Sequence, residues 1–352
     1  MSQFGNGGVR WQKHSERLCA SHLLITVPSA VFLTGCRGWQ SALDPQTPQA
    51  QSLADLLWVF TAVVVLVWLA TLAMLAWALW RRRQGNASPV TADTAAERRT
   101  GRLVAYATGG TGLILLVLTG LSYAAQKHLF VEDAGVRTVT VTGRQWWWEI
   151  RYAETDGTAS FMSANELHLP LGEPVRVKLA SADVIHSFWV PNLFGKRDLV
   201  PGVDNAVTFA PARLGTWRGQ CAEFCGLQHA HMALFVTIES KAEFERWREE
   251  QAAPATASTS SDAQAGHAIF FSRSCNVCHT IRGTPATGEV GPDLTHFASR
   301  QWMAAGVVRN SRAALERWIT NPHDVKPGVH MPSTSAAKDE LDRLVAFLES
   351  LK

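Results

Sequence analysis

Two long apolar runs limit what this chain can fold into. "LADLLWVFTAVVVLVWLATLAMLAWALW" covers about residues 53–80 with one acid, Asp55, near its start, and "LVAYATGGTGLILLVLTGLSYAA" covers about residues 103–125 with no charge. A helix needs about 20 apolar residues to cross a bilayer. Each run therefore predicts a membrane span rather than a buried helix of a soluble protein. The glycines of the second run fit, because small residues let membrane helices pack closely. Between the runs lie Arg81, Arg82, Arg83, Arg98, Arg99 and Arg102, against only Asp93 and Glu97. Positive loops stay cytoplasmic, so the loop 81–102 is expected inside and everything after about residue 127 outside.

The N-terminus agrees with that orientation. Arg10, Lys13 and Arg17 precede the short apolar stretch "LLITVPSAVFLTG" and then Cys36, the layout of a secretory signal. Leu33-Thr34-Gly35-Cys36 resembles a bacterial lipobox. That resemblance implies a signal over residues 1–35, discarded with Cys19, and a lipidated Cys36 opening an N-terminal linker, 36–52. The alternatives are a plain signal peptide or an uncleaved helix. The expected location is the bacterial cell (inner) membrane, multi-pass, with the later domains on the periplasmic or outer face. Basic and acidic residues nearly cancel, 33 against 30, which gives no case for a nucleic-acid partner.

Beyond the spans, "VRTVTVTG", "WWWEIRY", "PVRVKLAS", "NAVTFAP" and "ALFVTIES" are short strand candidates, rich in β-branched and aromatic residues. Turn pairs such as Asp156-Gly157 and Pro201-Gly202 separate them. Many short strands at this spacing predict a sandwich or barrel. "EEQAAPATASTSSDAQAG" has no apolar periodicity and reads as a flexible linker. After it, "SRAALERWIT" and "KDELDRLVAFLESL" carry apolar residues at helical spacing, with Leu341, Leu344, Val345 and Leu348 in one stripe.

"CNVCH", Cys275 to His279, is the C-x-x-C-H pattern of covalent c-type haem attachment. Two thioethers hold the porphyrin edge while the adjacent histidine reaches the iron. Zinc would need further soft ligands, and no cysteine follows Cys278. A redox dithiol belongs in a βαβ setting, whereas these surroundings read as helical. The best sixth ligand is Met331 in "HMPS", with His330 its immediate rival and Met303, His296 and His323 weaker. Thioether opposite imidazole raises the potential and favours electron transfer. The motif, "GPDL", Met-Pro and a closing helix together resemble class I cytochrome c, over about 85 residues. That likeness implies an all-α domain with His279 and Met331 on the iron.

"CAEFCGLQHAHM", residues 221–232, holds two cysteines, two histidines and a methionine. Exported thiols tend to pair oxidatively, and a bound metal would protect them. Thiolate, thioether and imidazole together suit copper, with zinc the other metal reading. One cysteine with two histidines would hold one copper; two cysteines can bridge two.

The spacing C-x-E-x-C-x₃-H-x₂-M, with a histidine upstream in "DVIHSFWVP", resembles the binuclear copper A site of cytochrome c oxidase subunit II over roughly residues 53–240. The resemblance implies bridging thiolates at Cys221 and Cys225, with His186 and His229 each capping one copper. Met232 and the backbone carbonyl of Glu223 would be the remaining copper ligands, and the Glu223 side chain would reach a magnesium ion shared with subunit I. His231 is off the spacing. "GRQWWWEIRY" matches the family's aromatic stretch and implies electron entry at Trp146, with Trp148 on the same strand face. The glutamate often found at the start of the family's second membrane helix has only Glu97 near its place, in uncertain register.

The whole resembles subunit II of a caa3-type oxidase. The expected architecture is multidomain: a two-helix transmembrane hairpin (53–126), an all-β cupredoxin domain of Greek-key type (130–248), a linker (249–263) and an all-α cytochrome c domain (264–352). The implied cofactors are copper A, haem c and magnesium. The implied partners are the membrane, subunit I, subunit III, and cytochrome c or another donor. Oxygen would be reduced to water in subunit I, coupled to proton translocation. Two rivals share some features: the copper A subunit of a nitric oxide reductase, and a copper assembly factor. The assembly factor is disfavoured by the two-helix hairpin, the His-x₂-Met and the fused haem motif.

Overall fold

The structure is a computed structural model that describes residues 37–85, 94–127, 136–154, 158–256 and 258–352. The expected signal sequence and Cys36 lie outside the described residues, as do residues 86–93 of the loop between the apolar runs. Both runs form helices, longer than their apolar stretches. Helix α1, Pro48–Arg83, is capped by Thr47, whose side chain accepts from the Ala50 N–H, and ends on Arg81, Arg82 and Arg83. Helix α2 is Thr94–Lys127. A 36-residue helix is about 54 Å long at 1.5 Å per residue, more than the ~30 Å of a hydrocarbon core. The apolar side chains of both spans face outward, including Leu66, Trp68 and Met74 on α1 and Leu113, Leu115 and Leu116 on α2.

The next strands are β1 Arg137–Arg144, β2 Trp147–Tyr152, β3 Phe161–Ala164, β4 Glu166–Pro170, β5 Val175–Ser181, β6 His186–Phe188, β7 Arg197–Leu199, β8 Asn205–Phe209, β9 Gly215–Gln220 and β10 Ala233–Glu239. One sheet has the order β3-β2-β1-β5-β8, a second β4-β10-β9, and β6 pairs with β7. β1 runs parallel to β5, with Val139 opposite Val177 and Val141 opposite Leu179. The alternation in "VRTVTVTG" puts Val139 and Val141 into the core while Thr138, Thr140 and Thr142 stay half-buried. Val139, Val141, Ile150, Val177, Leu167 and Val236, drawn from both sheets, share one apolar cluster. The domain is a cupredoxin-like β-sandwich.

Helix α3, Lys241–Ala252, starts at a capping box made by Ser240 and Glu243 and crosses the start of the stretch that composition marks as linker. Helix α4, Ser261–Ser272, begins inside that stretch as well. The connection between them lies against the haem-motif domain: the Ala255 N–H donates to Arg282 O at 2.9 Å, and His296 Nε2 lies 3.0 Å from Ala253 O. Then follow β11 Trp302–Met303, β12 Val308–Arg309, α5 Arg312–Thr320, α6 Pro322–Val325 and α7 Lys338–Glu349. Helices α4 and α7 cross closely at Gly266, where an added Cβ would sit 2.0 Å from Arg343 O. Phe270, Leu315, Ile319, Leu344, Val345 and Leu348 form a second, separate apolar cluster.

The two domains are docked. Glu166 Oε1 accepts from the backbone N–H groups of Gln301 and Trp302 at 3.0 and 3.4 Å. The Ala233 N–H of β10 donates to Ala305 O at 3.0 Å. Phe235 stacks on Trp302 with ring centroids 5.0 Å apart, and Trp39 packs on both rings. The segment before α1 is equally tied down: Gln46 N–H donates to Asn192 O at 2.7 Å, and Thr47 Oγ1 to Leu193 O at 2.6 Å.

Candidate metal centre and haem site

Strand β6 delivers His186, β9 ends at Gln220 just before Cys221, and a 3-10 turn, His229–His231, leads into β10 through Met232. The stretch between β9 and β10 therefore folds its own donors together, while a separate strand pair brings His186 from 35 residues upstream. Cys221 Sγ lies 3.8 Å from Cys225 Sγ, 3.8 Å from His186 Nδ1 and 3.3 Å from Glu223 O. Cys225 Sγ lies 3.7 Å from His229 Nδ1 and 3.9 Å from Met232 Sδ. The cysteines are free, their sulfurs nearly twice the ~2.05 Å of a disulfide apart. His186, Cys221, Cys225 and Met232 are buried. The ligand atoms of His186, Cys221 and Cys225 all lie within 4.8 Å of one another. Sulfur and imidazole donors set this far apart fit metal ions placed between them, and the set is soft enough for copper.

The electrostatics favour a single thiolate in the cysteine pair, at Cys221. A hydrogen bond from Cys225, helped by His186, holds Cys221 down to about 3, and the same shared proton together with burial pushes Cys225 up. Burial opposes charge on His186, but hydrogen bonds with Cys221 and Asp183 outweigh it and raise the ring above the ordinary imidazole range. Asp183 Oδ1 is 2.7 Å from His186 Nε2, which orients the ring with Nδ1 toward the sulfurs. Gly143 leaves the space for this: a Cβ there would be 2.7 Å from the His186 ring. His231 turns away, with Nδ1 2.8 Å from Gln228 Oε1.

The Glu223 carboxylate pairs with Lys196 at 3.1 Å, and Lys196 lies 3.6 Å from Asp198. Magnesium takes about six oxygen ligands. One carboxylate already held by an ammonium does not make such a site from this chain alone.

Cys275 opens a 3-10 turn and Cys278 closes it, both half-buried, with His279 next. His279 Nδ1 lies 2.8 Å from Pro292 O. A proton on Nδ1 donated to that carbonyl leaves Nε2 as the free ligand atom. Desolvation lowers the ring's pKa, keeping the imidazole neutral, as an iron ligand must be. Two glycines clear the surroundings: a Cβ at Gly291 would sit 2.6 Å from the His279 ring, and one at Gly288 2.4 Å from Val277 O. Paired thiols beside an oriented neutral histidine fit covalent haem. Met331 lies half-buried in the loop between α6 and α7. His330 is exposed, its ring centroid 5.7 Å from that of Trp146. Met303 is in the domain core, and His296 binds the linker.

Trp146 sits in the turn between β1 and β2, not on the strand face expected for it. Its side chain is buried, and Nε1 donates to Cys225 O at 2.8 Å. Trp148 is fully buried beside His186 and Phe188, with Nε1 3.4 Å from Met232 O. Two polar residues escaped the sequence reading. Asp183 had a visible signal, three residues before His186. Lys326 had none: its Nζ donates to Trp146 O at 2.6 Å from 180 residues away, and burial pulls it down to about 7.

Residues 155–239 match the family described as cytochrome c oxidase subunit II, periplasmic domain, and residues 263–352 match cytochrome c. The cytochrome c oxidase subunit 2 of Alkalihalophilus pseudofirmus is 33% identical over 355 residues, covering 97% of this chain and 98% of that one. The subunit 2 of Bacillus sp. (strain PS3) is 32% identical, covering 67% of this chain and 68% of its own. Among solved structures, the periplasmic domain of subunit II of cytochrome oxidase from Bradyrhizobium japonicum is 33% identical, covering 35% of this chain and 96% of that one, with a TM-score of 0.32.

Proposed function

The chain belongs to the cytochrome c oxidase subunit 2 family, and on that premise we propose that it is the electron-entry subunit of a haem–copper terminal oxidase, with its donor haem built in. The observation that carries this reading is the convergence of Cys221, Cys225, His186, His229 and Met232 in a chain whose tail holds an attachment motif beside an oriented histidine. When bound, the haem on Cys275 and Cys278 and the copper pair on Cys221 and Cys225 supply one-electron chemistry, from a donor toward oxygen reduction in subunit I.

The residues prepare that chemistry. His279 is presented by Pro292 O and, with Met331, would hold the haem iron. Cys221, Cys225, His186, His229, Met232 and the carbonyl of Glu223 would hold the copper pair. Trp146, bonded to Cys225 O and with its ring centroid 5.7 Å from that of His330, would conduct the electron. A magnesium ion at Glu223 would take its other oxygens from subunit I and displace Lys196. Residues 1–35 are a signal, Cys36 carries lipid, and α1 and α2 cross the inner membrane with both redox domains outside. Subunits I and III are the protein partners, a cytochrome c or other donor reduces the haem, and proton translocation belongs to subunit I.

The test is metal and haem analysis of the purified complex, with spectra of both redox states. Two coppers and one covalent haem per chain are expected, with turnover that consumes oxygen. Turnover of nitric oxide in place of oxygen would assign the chain to a nitric oxide reductase, and a chain isolated without a large subunit would favour an assembly role.

A further inference from the structure

One contact between the two domains joins their ligand loops. Lys326, at the end of α6, is 2% exposed. Its Nζ donates to Trp146 O at 2.6 Å in the sandwich and to Ala304 O at 3.4 Å in its own domain. One residue on, Pro327 O accepts from Gln228 Nε2 at 2.6 Å. Gly328, at φ +83°, lies against Leu227, where a Cβ would come within 2.8 Å of Cδ1. His330 brings its ring to Trp146. Residues 326–330 thus meet Trp146, Leu227 and Gln228, which flank Cys225 and His229, and Met331 is the next residue of the same loop.

Lys326 is the anchor of this set. Among the described residues no carboxylate pairs with it, so its ammonium gives up water for two carbonyls, an arrangement that costs free energy. It also steadies the turn at Ala304 and Ala305, both at positive φ, 54° and 56°, a conformation alanine adopts only under constraint. Ala305 O in turn accepts from Ala233 of β10. Any apolar side chain would fill the space, but it would not bond to both domains.

We propose that Lys326 is a positioning residue for electron transfer between the domains: its bond to Trp146 O pins the loop carrying His330 and Met331 onto the indole whose Nε1 holds Cys225 O. The proposal rests on the reading of the chain as a haem-to-copper conductor. The transfer moves one electron, oxidising haem iron from ferrous to ferric and reducing the copper pair, and needs no bond or proton. Its rate depends steeply on how closely the two ligand sets are held, so a loop freed from Trp146 slows it even though every ligand remains.

The test uses the assembled oxidase with Lys326→Met, Lys326→Arg and Gln228→Ala. Two quantities are read: hydrogen exchange in residues 326–331, and flash-induced electron equilibration between haem and copper A. In Lys326→Met, copper and haem content and the copper absorption bands stay at parental levels. Exchange rises at least tenfold and equilibration slows at least tenfold, while Lys326→Arg, which keeps donor and charge, recovers most of both. Gln228→Ala shifts both in the same direction by a smaller factor, and it decides the matter should Lys326→Met fail to assemble. Parental equilibration in the variants, slowed equilibration with exchange unchanged, or no recovery with arginine would overturn the proposal. Absence of copper or haem from the parental enzyme would instead overturn the functional reading.

Discussion

Gly291 shows how much of each site rests on one atom's absence. A Cβ there would lie 2.6 Å from the His279 ring, closer than atoms in contact can come, and the ring's Nδ1 is already held by Pro292 O. Gly291→Ala must therefore rotate or push the imidazole, at a typical overpacking cost of about 1–3 kcal/mol. Haem stays covalently bound through Cys275 and Cys278, but the low-spin histidine–methionine spectrum is lost from most molecules; pyridine haemochrome content and the visible spectrum check the two halves. Cys221→Ser separates the centres in the same way. The serine oxygen cannot bridge copper as a thiolate does, so copper content falls below a tenth of parental while haem content is unchanged, because the two apolar clusters share no residue.

At the scale of elements, the crossing of α4 and α7 is set by Gly266. A Cβ would meet the Arg343 carbonyl at 2.0 Å and Arg343 C at 2.6 Å, and backbone does not yield as a side-chain tip does. Gly266→Ala is expected to destabilise the haem domain by about 3 kcal/mol, seen as a lower midpoint for loss of the haem band in denaturant. The sequence hid only where this helix begins. "SSDAQAGHA" is small and polar and reads as linker, whereas Ala263 within it and Ile269 and Phe270 further along carry the apolar packing. Helix α3 was legible in principle through Ser240 and Glu243, a capping box. β1 and β5 announced themselves through valines at period two, whereas β6 and β7 have three residues each, too short to show a period. The donor set could be read because Cys221 to Met232 are near neighbours in sequence. Lys326 could not be read, because what it touches lies in another domain.

For the whole molecule, the question is whether the haem domain is tethered or docked. A loosely joined tail would raise effective concentration only. The contacts instead describe one body: Glu166 accepting from Gln301 and Trp302, the Ala233–Ala305 bond, and Trp302 stacked on Phe235 at 12° between planes with Trp39 beside them. The aromatic trio joins three regions, since Trp39 belongs to the segment before the first membrane helix and its carbonyl accepts from the Arg218 N–H of β9 at 2.7 Å. Trp302 is half-buried and on a two-residue strand, so its removal leaves the core of the haem domain intact and takes away mainly the contact between domains. Truncating a large aromatic in a packed site costs about 3–5 kcal/mol, and here that loss falls on docking. In the parental enzyme the copper and haem absorption bands are expected to melt together, as one cooperative unit does. In Trp302→Ala they separate, the haem band leaving several degrees before the copper band. Coincident melting in that variant would mean that the domains are coupled through the loop at Lys326 and Trp146 alone, and Lys326→Met combined with Trp302→Ala would then be the variant that splits them.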